Sequence, residues 1–251
     1  MNSPESPYQQ TPVQPPSPVL VRLPERKPVI VYLILFGTIL VYILQWWSEG
    51  LYGEDIPLLL GAKIPAAIAG GQYWRLFTPA LLHVSVMHIA FNMYALFTIG
   101  RGLERFYGHL PFLILYGIGA LGGNVLSYLL SDSISVGAST AVFGLVAAQG
   151  VFIYQNRSLF GANARSMIGN ILLIVVINLG IGLSGGIDNW GHLGGLVSGF
   201  AFAMAAGPVL EIQQDAQGLF ISNQRSSFHA FAFGGGLAFL LFLLVFTRSW
   251  K

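Results

Sequence analysis

At 251 residues, the chain is 54% hydrophobic and only 9% charged, with a mean hydropathy of +0.67, which leaves too little polar surface to clothe a soluble domain. Its net charge of +2 is scattered, with no basic run interleaved with aromatics, and this excludes a nucleic-acid surface. Cysteine is absent, so disulfides, thiolate metal ligands and a cysteine nucleophile are excluded together.

These exclusions leave an all-α polytopic membrane protein whose solvent is the lipid bilayer. Residues 1–28 hold eight of the thirteen prolines, with Gln and Ser and no apolar periodicity, and are expected to form a disordered cytoplasmic tail. They carry no short apolar core or small-residue cleavage site, so they do not read as a secretory signal. From Val29 the pattern changes. Apolar stretches at about 29–47, 79–99, 110–130, 139–154, 167–184, 190–207 and 228–247 predict seven transmembrane helices. Between the first two, Ser48 to Thr78 is too long for a turn and too polar to span. Trp46, Trp47, Tyr52, Tyr73 and Trp74 at its ends are residue types that settle at headgroup level, which predicts a structured interfacial loop. Residues 208–251 are expected to be a loop followed by the seventh helix.

The distribution of Lys and Arg sets the orientation. With the N-terminus inside, Arg22, Arg26, Lys27, Arg101, Arg105, Arg157, Arg165 and Arg225 fall on the inner side, and Lys63, Arg75, Arg248 and Lys251 on the outer. This topology starts the second, fourth and sixth helices at the outer face. Ser139 then opens the fourth helix, His192 lies in the first turn of the sixth, and His83, His88 and Asn92 occupy the first half of the second. Polar side chains at membrane depth are expensive and mark functional interiors. A hydroxyl and an imidazole at one level are the parts of a nucleophile and its base.

The fourth helix also indicates depth. Its 16 residues, Ser139 to Tyr154, span roughly 24 Å against a hydrocarbon core of about 30 Å, so Ser139 is expected to be submerged. The irregular stretch Ser133 to Ala138 would dip with it, which is tolerated where backbone lines a watery cavity or is buried in protein. Gly191, Gly195, Gly199 and Ala203 form a small-residue stripe on the sixth helix, and Gly137, Ala141, Gly144 and Ala148 a comparable one on the fourth. Such stripes let backbones approach closely. They also serve ordinary helix packing, and alone they do not speak for a site. His88 and Asn92, four apart, share a helical face with the chemistry of oxyanion donors, whereas a continuous helix would rotate His83 about 140° from His88.

Four strings carry a resemblance: Tyr73-Trp-Arg-Leu-Phe-Thr78, His83-Val-Ser-Val-Met-His-Ile-Ala-Phe-Asn92, Gly137-Ala-Ser-Thr-Ala-Val-Phe-Gly144 and Asp188-Asn-Trp-Gly-His-Leu-Gly-Gly195. With Gly102-Leu-Glu-Arg105, they make the chain similar to the rhomboid intramembrane serine proteases over roughly residues 60–207. The resemblance implies a six-helix catalytic core, residues 29–207 here, with an extra C-terminal helix. It also implies Ser139 as nucleophile and His192 as general base without a third acidic member. His88 and Asn92 match side-chain oxyanion donors, joined by the Ser139 N–H. Phe143 matches an aromatic position packed against the histidine, His83 one associated with holding water, and Gly137 belongs to the serine motif. Trp74, Arg75, Glu104 and Arg105 match structural positions. The implied substrates are transmembrane or juxtamembrane segments of other membrane proteins, cut near the outer face of what is expected to be a bacterial plasma membrane.

Thr140 departs from the glycine usual after the serine in this family. At the start of a helix no positive φ is needed, so the change is expected to be tolerated. Asp188, one turn before His192, could complete a triad or cap the sixth helix. No cofactor or metal is expected, because there is no His-Glu-x-x-His helix and no carboxylate accompanies the helix-borne histidines at that depth. A helix-binding relative without catalysis is the competing class, and loss of the serine or histidine would be its mark. A transporter would instead require repeat symmetry and a midplane carboxylate.

Overall fold

The computed structural model describes residues 21–24 and 26–249, so most of the expected tail (residues 1–20 and Glu25), Trp250 and Lys251 lie outside the described residues. A long helix α1, Val29–Tyr52, ends at Gly53, whose left-handed backbone (φ 74°) turns its N–H back to Glu49 O. The interfacial segment is two short helices, α2 (Ile56–Gly61) and α3 (Pro65–Ala69), followed by 3-10 turns at Tyr73–Leu76 and Thr78–Leu81. Then come α4 (Val86–Ala95), a π-helical turn at Leu96–Gly100 and α5 (Arg101–Tyr107), which follow one another without a break. The rest is α6 (His109–Leu130), α7 (Ser139–Gln155), the short α8 (Arg157–Phe160), α9 (Asn163–Gly182), α10 (Asn189–Ala206) and α11 (Ser227–Ser249).

Among the described residues, four helices, Val29–Tyr52, His109–Leu130, Asn163–Gly182 and Ser227–Arg248, are long and apolar enough to cross a membrane by themselves. The other three expected spans are of a different kind. Residues 139–155 form a shorter apolar helix, α10 is diluted by Asn189, His192 and its glycines, and the second expected span is interrupted. That span does not begin at residue 79. His83 lies in non-helical backbone ahead of α4, whose start is capped by the Ser85 hydroxyl accepting from His88 N at 3.2 Å. The rotation expected between His83 and His88 on one helix therefore does not apply.

Helix α10 sits at the centre, packed chiefly against α6 and α7, while α11 covers α6 and α10 from outside and α9 leans on α7. Of the spanning helices, α6 is largely buried and α1, α9 and α11 present mostly exposed apolar side chains, as helices facing acyl chains do. Glu104 ties the bundle at one end. Its fully buried carboxylate accepts from the first-turn N–H groups of Ile30 (2.8 Å) and Val31 (2.9 Å), donors that no helix carbonyl can reach. Its Oε1 also lies 2.6 Å from His109 Nδ1. Glu104→Ala, by orphaning these donors, is expected to cost about 1–3 kcal/mol of stability. Glu104→Gln keeps one acceptor and should cost less, as thermal unfolding in detergent would register.

Both ends carry regular structure. Within the segment expected to be a loop after α10 lies a β-hairpin, β2 (Leu210–Asp215) with β3 (Gly218–Asn223). Within residues expected to be disordered, Val21–Arg22 form strand β1, paired parallel to β3 through Val21↔Leu219 and Arg22↔Phe220. Arg22 donates to the Asp215 carboxylate at 2.5 Å, which holds that exposed carboxyl below its usual range, and to Gln217 Oε1 at 2.7 Å. The sheet order β1-β3-β2 brings the chain ahead of α1 and the hairpin after α10 to the same end of the bundle. Asn156 and Arg225 fix the hairpin there. Asn156 accepts from Leu210 N at 2.6 Å, and Arg225 donates to the carbonyls of Met204 and Gly207, both at 2.9 Å, at the end of α10.

Candidate active site

Ser139 is the first residue of α7, so its own N–H belongs to the first-turn donors that have no helical acceptor. The chain reaches it through Gly137, whose φ of 125° favours glycine, and whose N–H donates to Pro79 O at 2.9 Å. Space makes the same demand. A Cβ on Gly137 would stand 2.7 Å from both Cε1 and Nε2 of His88. Gly137→Ala is therefore expected to displace the His88 ring or the serine itself and to cost about 1–3 kcal/mol of stability through its backbone strain, measurable as a lower thermal midpoint in detergent.

His192 comes to Ser139 from the other side. It lies in the first turn of α10, where its N–H donates to Asp188 O at 3.0 Å, and its Nε2 is 3.0 Å from Ser139 Oγ. The Phe143 ring, one turn along α7 from the serine, stacks on the imidazole with centroids 4.1 Å apart and planes 14° from parallel. His192 is buried and its Nδ1 has no protein partner. Asp188 does not supply one. Its Oδ1 accepts from Gly191 N at 2.9 Å and its Oδ2 from the Ser127 hydroxyl at 2.5 Å, so it caps α10 instead of completing a triad.

The third wall is α4 and the segment before it. His88 turns the Nε2 edge of its ring toward Gly137, two residues from the serine. Asn92, one turn on, is buried and spends one amide hydrogen on His88 O at 3.0 Å, which leaves the other available. The His83 ring meets His88 edge to face, centroids 4.9 Å apart, and its Nε2 accepts from Ala138 N at 3.4 Å. Thr140 continues α7 with ordinary helical backbone, since among the described residues only glycines have positive φ. No group of three or more His, Asp or Glu among the described residues is arranged to hold a metal ion.

The structure thus brings together Ser139, His192, Phe143, Gly137, His88 and His83, with Asn92 on the same face of α4 as His88. Sequence reasoning missed the clamp on His83. Gln45, buried on α1, accepts from His83 N (3.0 Å) and donates to His83 O (3.1 Å) and to Asp55 Oδ2 (2.7 Å). A glutamine inside the first apolar span was the available signal. Arg75 and Trp74 brace the interfacial segment: Arg75 donates to the carbonyls of Ala62 (2.7 Å) and Leu59 (2.8 Å), and the Trp74 indole to Leu60 O (3.0 Å).

Small residues make the approach of α7 and α10 possible. A Cβ on Gly199 would run into the Gly144 backbone and one on Gly195 into the Thr140 carbonyl, while one on Gly144 would lie 2.9 Å from Gly119 Cα. Backbones of α6, α7 and α10 are therefore in direct contact at the level of the site and below it.

The family model of the Rhomboid domain matches residues 70–208. Rhomboid protease GluP of Bacillus subtilis is 39% identical over 182 residues, 72% of this chain and 35% of that protein. RHOMBOID-like protein 9, chloroplastic, of Arabidopsis thaliana is 33% identical over 63% of this chain and 37% of its own length. Rhomboid-like protease 1 of Toxoplasma gondii is 38% identical over 60% of this chain and 53% of its own length. The chain thus spans roughly a third to a half of these relatives.

Proposed function

The chain belongs to the rhomboid family and is an all-α, multi-pass integral membrane protein, and on that premise we propose that it is a serine endopeptidase that cuts transmembrane or juxtamembrane segments of other membrane proteins. The observation that carries this reading is the 3.0 Å contact between Ser139 Oγ and His192 Nε2, a hydroxyl and an imidazole brought together from two apolar helices. Ser139 Oγ attacks the substrate carbonyl while His192 Nε2 takes its proton, forming a tetrahedral oxyanion. The Ser139 N–H, the free Asn92 amide hydrogen and the His88 ring are the donors for that charge. Collapse expels the amine, protonated by His192, and leaves an acyl-enzyme on Ser139. Water, deprotonated by His192, then releases the acid and restores the hydroxyl.

Phe143 holds the imidazole plane from behind, which compensates for the missing acidic member. A substrate helix must unwind locally to offer its carbonyl, so helix-weakening residues near the cut are expected. The basic residues favour an inner N-terminus, with the β-sheet on that side and the site opening toward the outer face of a bacterial plasma membrane. Reconstituted protein should cut a single-span reporter inside or beside its span, with fragment masses locating the bond. Intact reporters across a panel with varied helix-weakening residues would contradict the reading.

A further inference from the structure

Lys63 lies between α2 and α3 and is fully buried, a costly location for an ammonium unless it is partnered. Its backbone pairs with Ser135 in an isolated bridge, N–H to O at 3.0 Å one way and 3.2 Å the other. That pair fixes the irregular stretch four residues before Ser139. Its side chain goes elsewhere. Nζ donates to Ser127 Oγ on α6 at 2.8 Å, and the Ser127 hydroxyl donates to Asp188 Oδ2 at 2.5 Å. Asp188 in turn caps the helix that carries His192, accepting from Gly191 N through Oδ1 and from His192 N through its own carbonyl. One residue therefore holds the approach to the serine with its backbone and the start of the histidine's helix with its side chain.

We propose that Lys63 is a positioning residue for the Ser139–His192 pair, acting through Ser127 and Asp188 to keep α10 in register with the irregular stretch that leads into α7. This rests on the protease reading of the site. The other charges facing Lys63, Arg248 and Asp132, are 3.6 Å apart, and Asp132 is exposed to solvent. Asp188 is thus the carboxylate that the ammonium serves from inside. Burial draws the Lys63 ammonium below its ordinary pKa, and the Asp188 charge pulls it back up. Without Lys63, the Asp188 carboxylate is left with its cap and one hydroxyl, and it gains by turning toward water and taking the first turn of α10 with it.

The test is the rate at which a fluorophosphonate labels Ser139 in the full chain in detergent, alongside its thermal midpoint and reporter cleavage. Lys63→Met is expected to slow labelling by about tenfold to a hundredfold, the scale of a sub-ångström to ångström shift of a reacting pair, with kcat falling and KM little changed. Ser127→Ala, a milder change that leaves both charges in place, should slow it in the same direction. Adding Asp188→Asn, which retains a capping oxygen, to Lys63→Met should restore part of the rate. Wild-type labelling rates in Lys63→Met and Ser127→Ala would overturn the proposal. So would losses that only follow the thermal midpoint, or a double variant that loses the product of the single losses. Failure of the wild type to label or cleave would remove the protease reading and this inference with it, whereas a labelled wild type with indifferent variants removes the inference alone.

Discussion

Ser139→Ala and His192→Ala are each expected to abolish cleavage, by about a thousandfold or more, with thermal midpoints close to that of the unaltered protein. Both residues sit at helix starts outside the apolar core clusters, Ser139 only partly buried and His192 buried against the face of one ring. In the proposed mechanism the two act as one unit, the hydroxyl being a poor nucleophile until the imidazole takes its proton, so the double variant should be no worse than either single one. Asn92→Ala removes a donor and leaves the nucleophile, so its loss should be smaller, about a hundredfold to a thousandfold in kcat. Comparing the three as kcat values on one reporter separates the chemistry from the oxyanion contribution.

Gly199→Val is expected to be as damaging to activity by a wholly structural route. Its side chain would have to enter space held by the backbone of Gly144, which cannot move aside as a side-chain tip could. Such overpacking costs about 1–3 kcal/mol, occasionally more, and it acts by prising α10 from α7. The Ser139–His192 contact spans that same interface, so an opening of about 1 Å would cost some hundredfold in rate in whatever fraction still folds. Gly117 and Gly235, which have nothing within 4 Å of a built Cβ, are the controls. Alanine at either should leave midpoint and rate unchanged, while Gly199→Val lowers both.

Much of this was legible from residue order. Ser139, His192, His88 and Asn92 stood out because polar groups in apolar helices are costly, and the glycine stripes predicted the close α7–α10 approach that the structure contains. The start of the second span was not legible. Leu81 to Ser85 is as apolar as a helix start, but Gln45 satisfies both backbone groups of His83 from another element, and this stabilises non-helical backbone there. Hydropathy cannot register that exchange.

The hairpin was legible in principle, since Asp215-Ala-Gln-Gly218 is a turn flanked by short strands. The β1 strand was not, because two residues of a proline-rich segment become a strand only against β3. Lys63, Ser127 and Asp188 are each ordinary in sequence. Their meaning lies in pairings across 64 and 61 positions that no local pattern encodes.

If Ser139 is a nucleophile activated by His192, mass spectrometry of the protein after fluorophosphonate treatment will find a single adduct, on the peptide containing Ser139, and that adduct will be lost in His192→Ala while the variant remains folded. An adduct on another residue, or reporter cleavage that persists in Ser139→Ala, would contradict it.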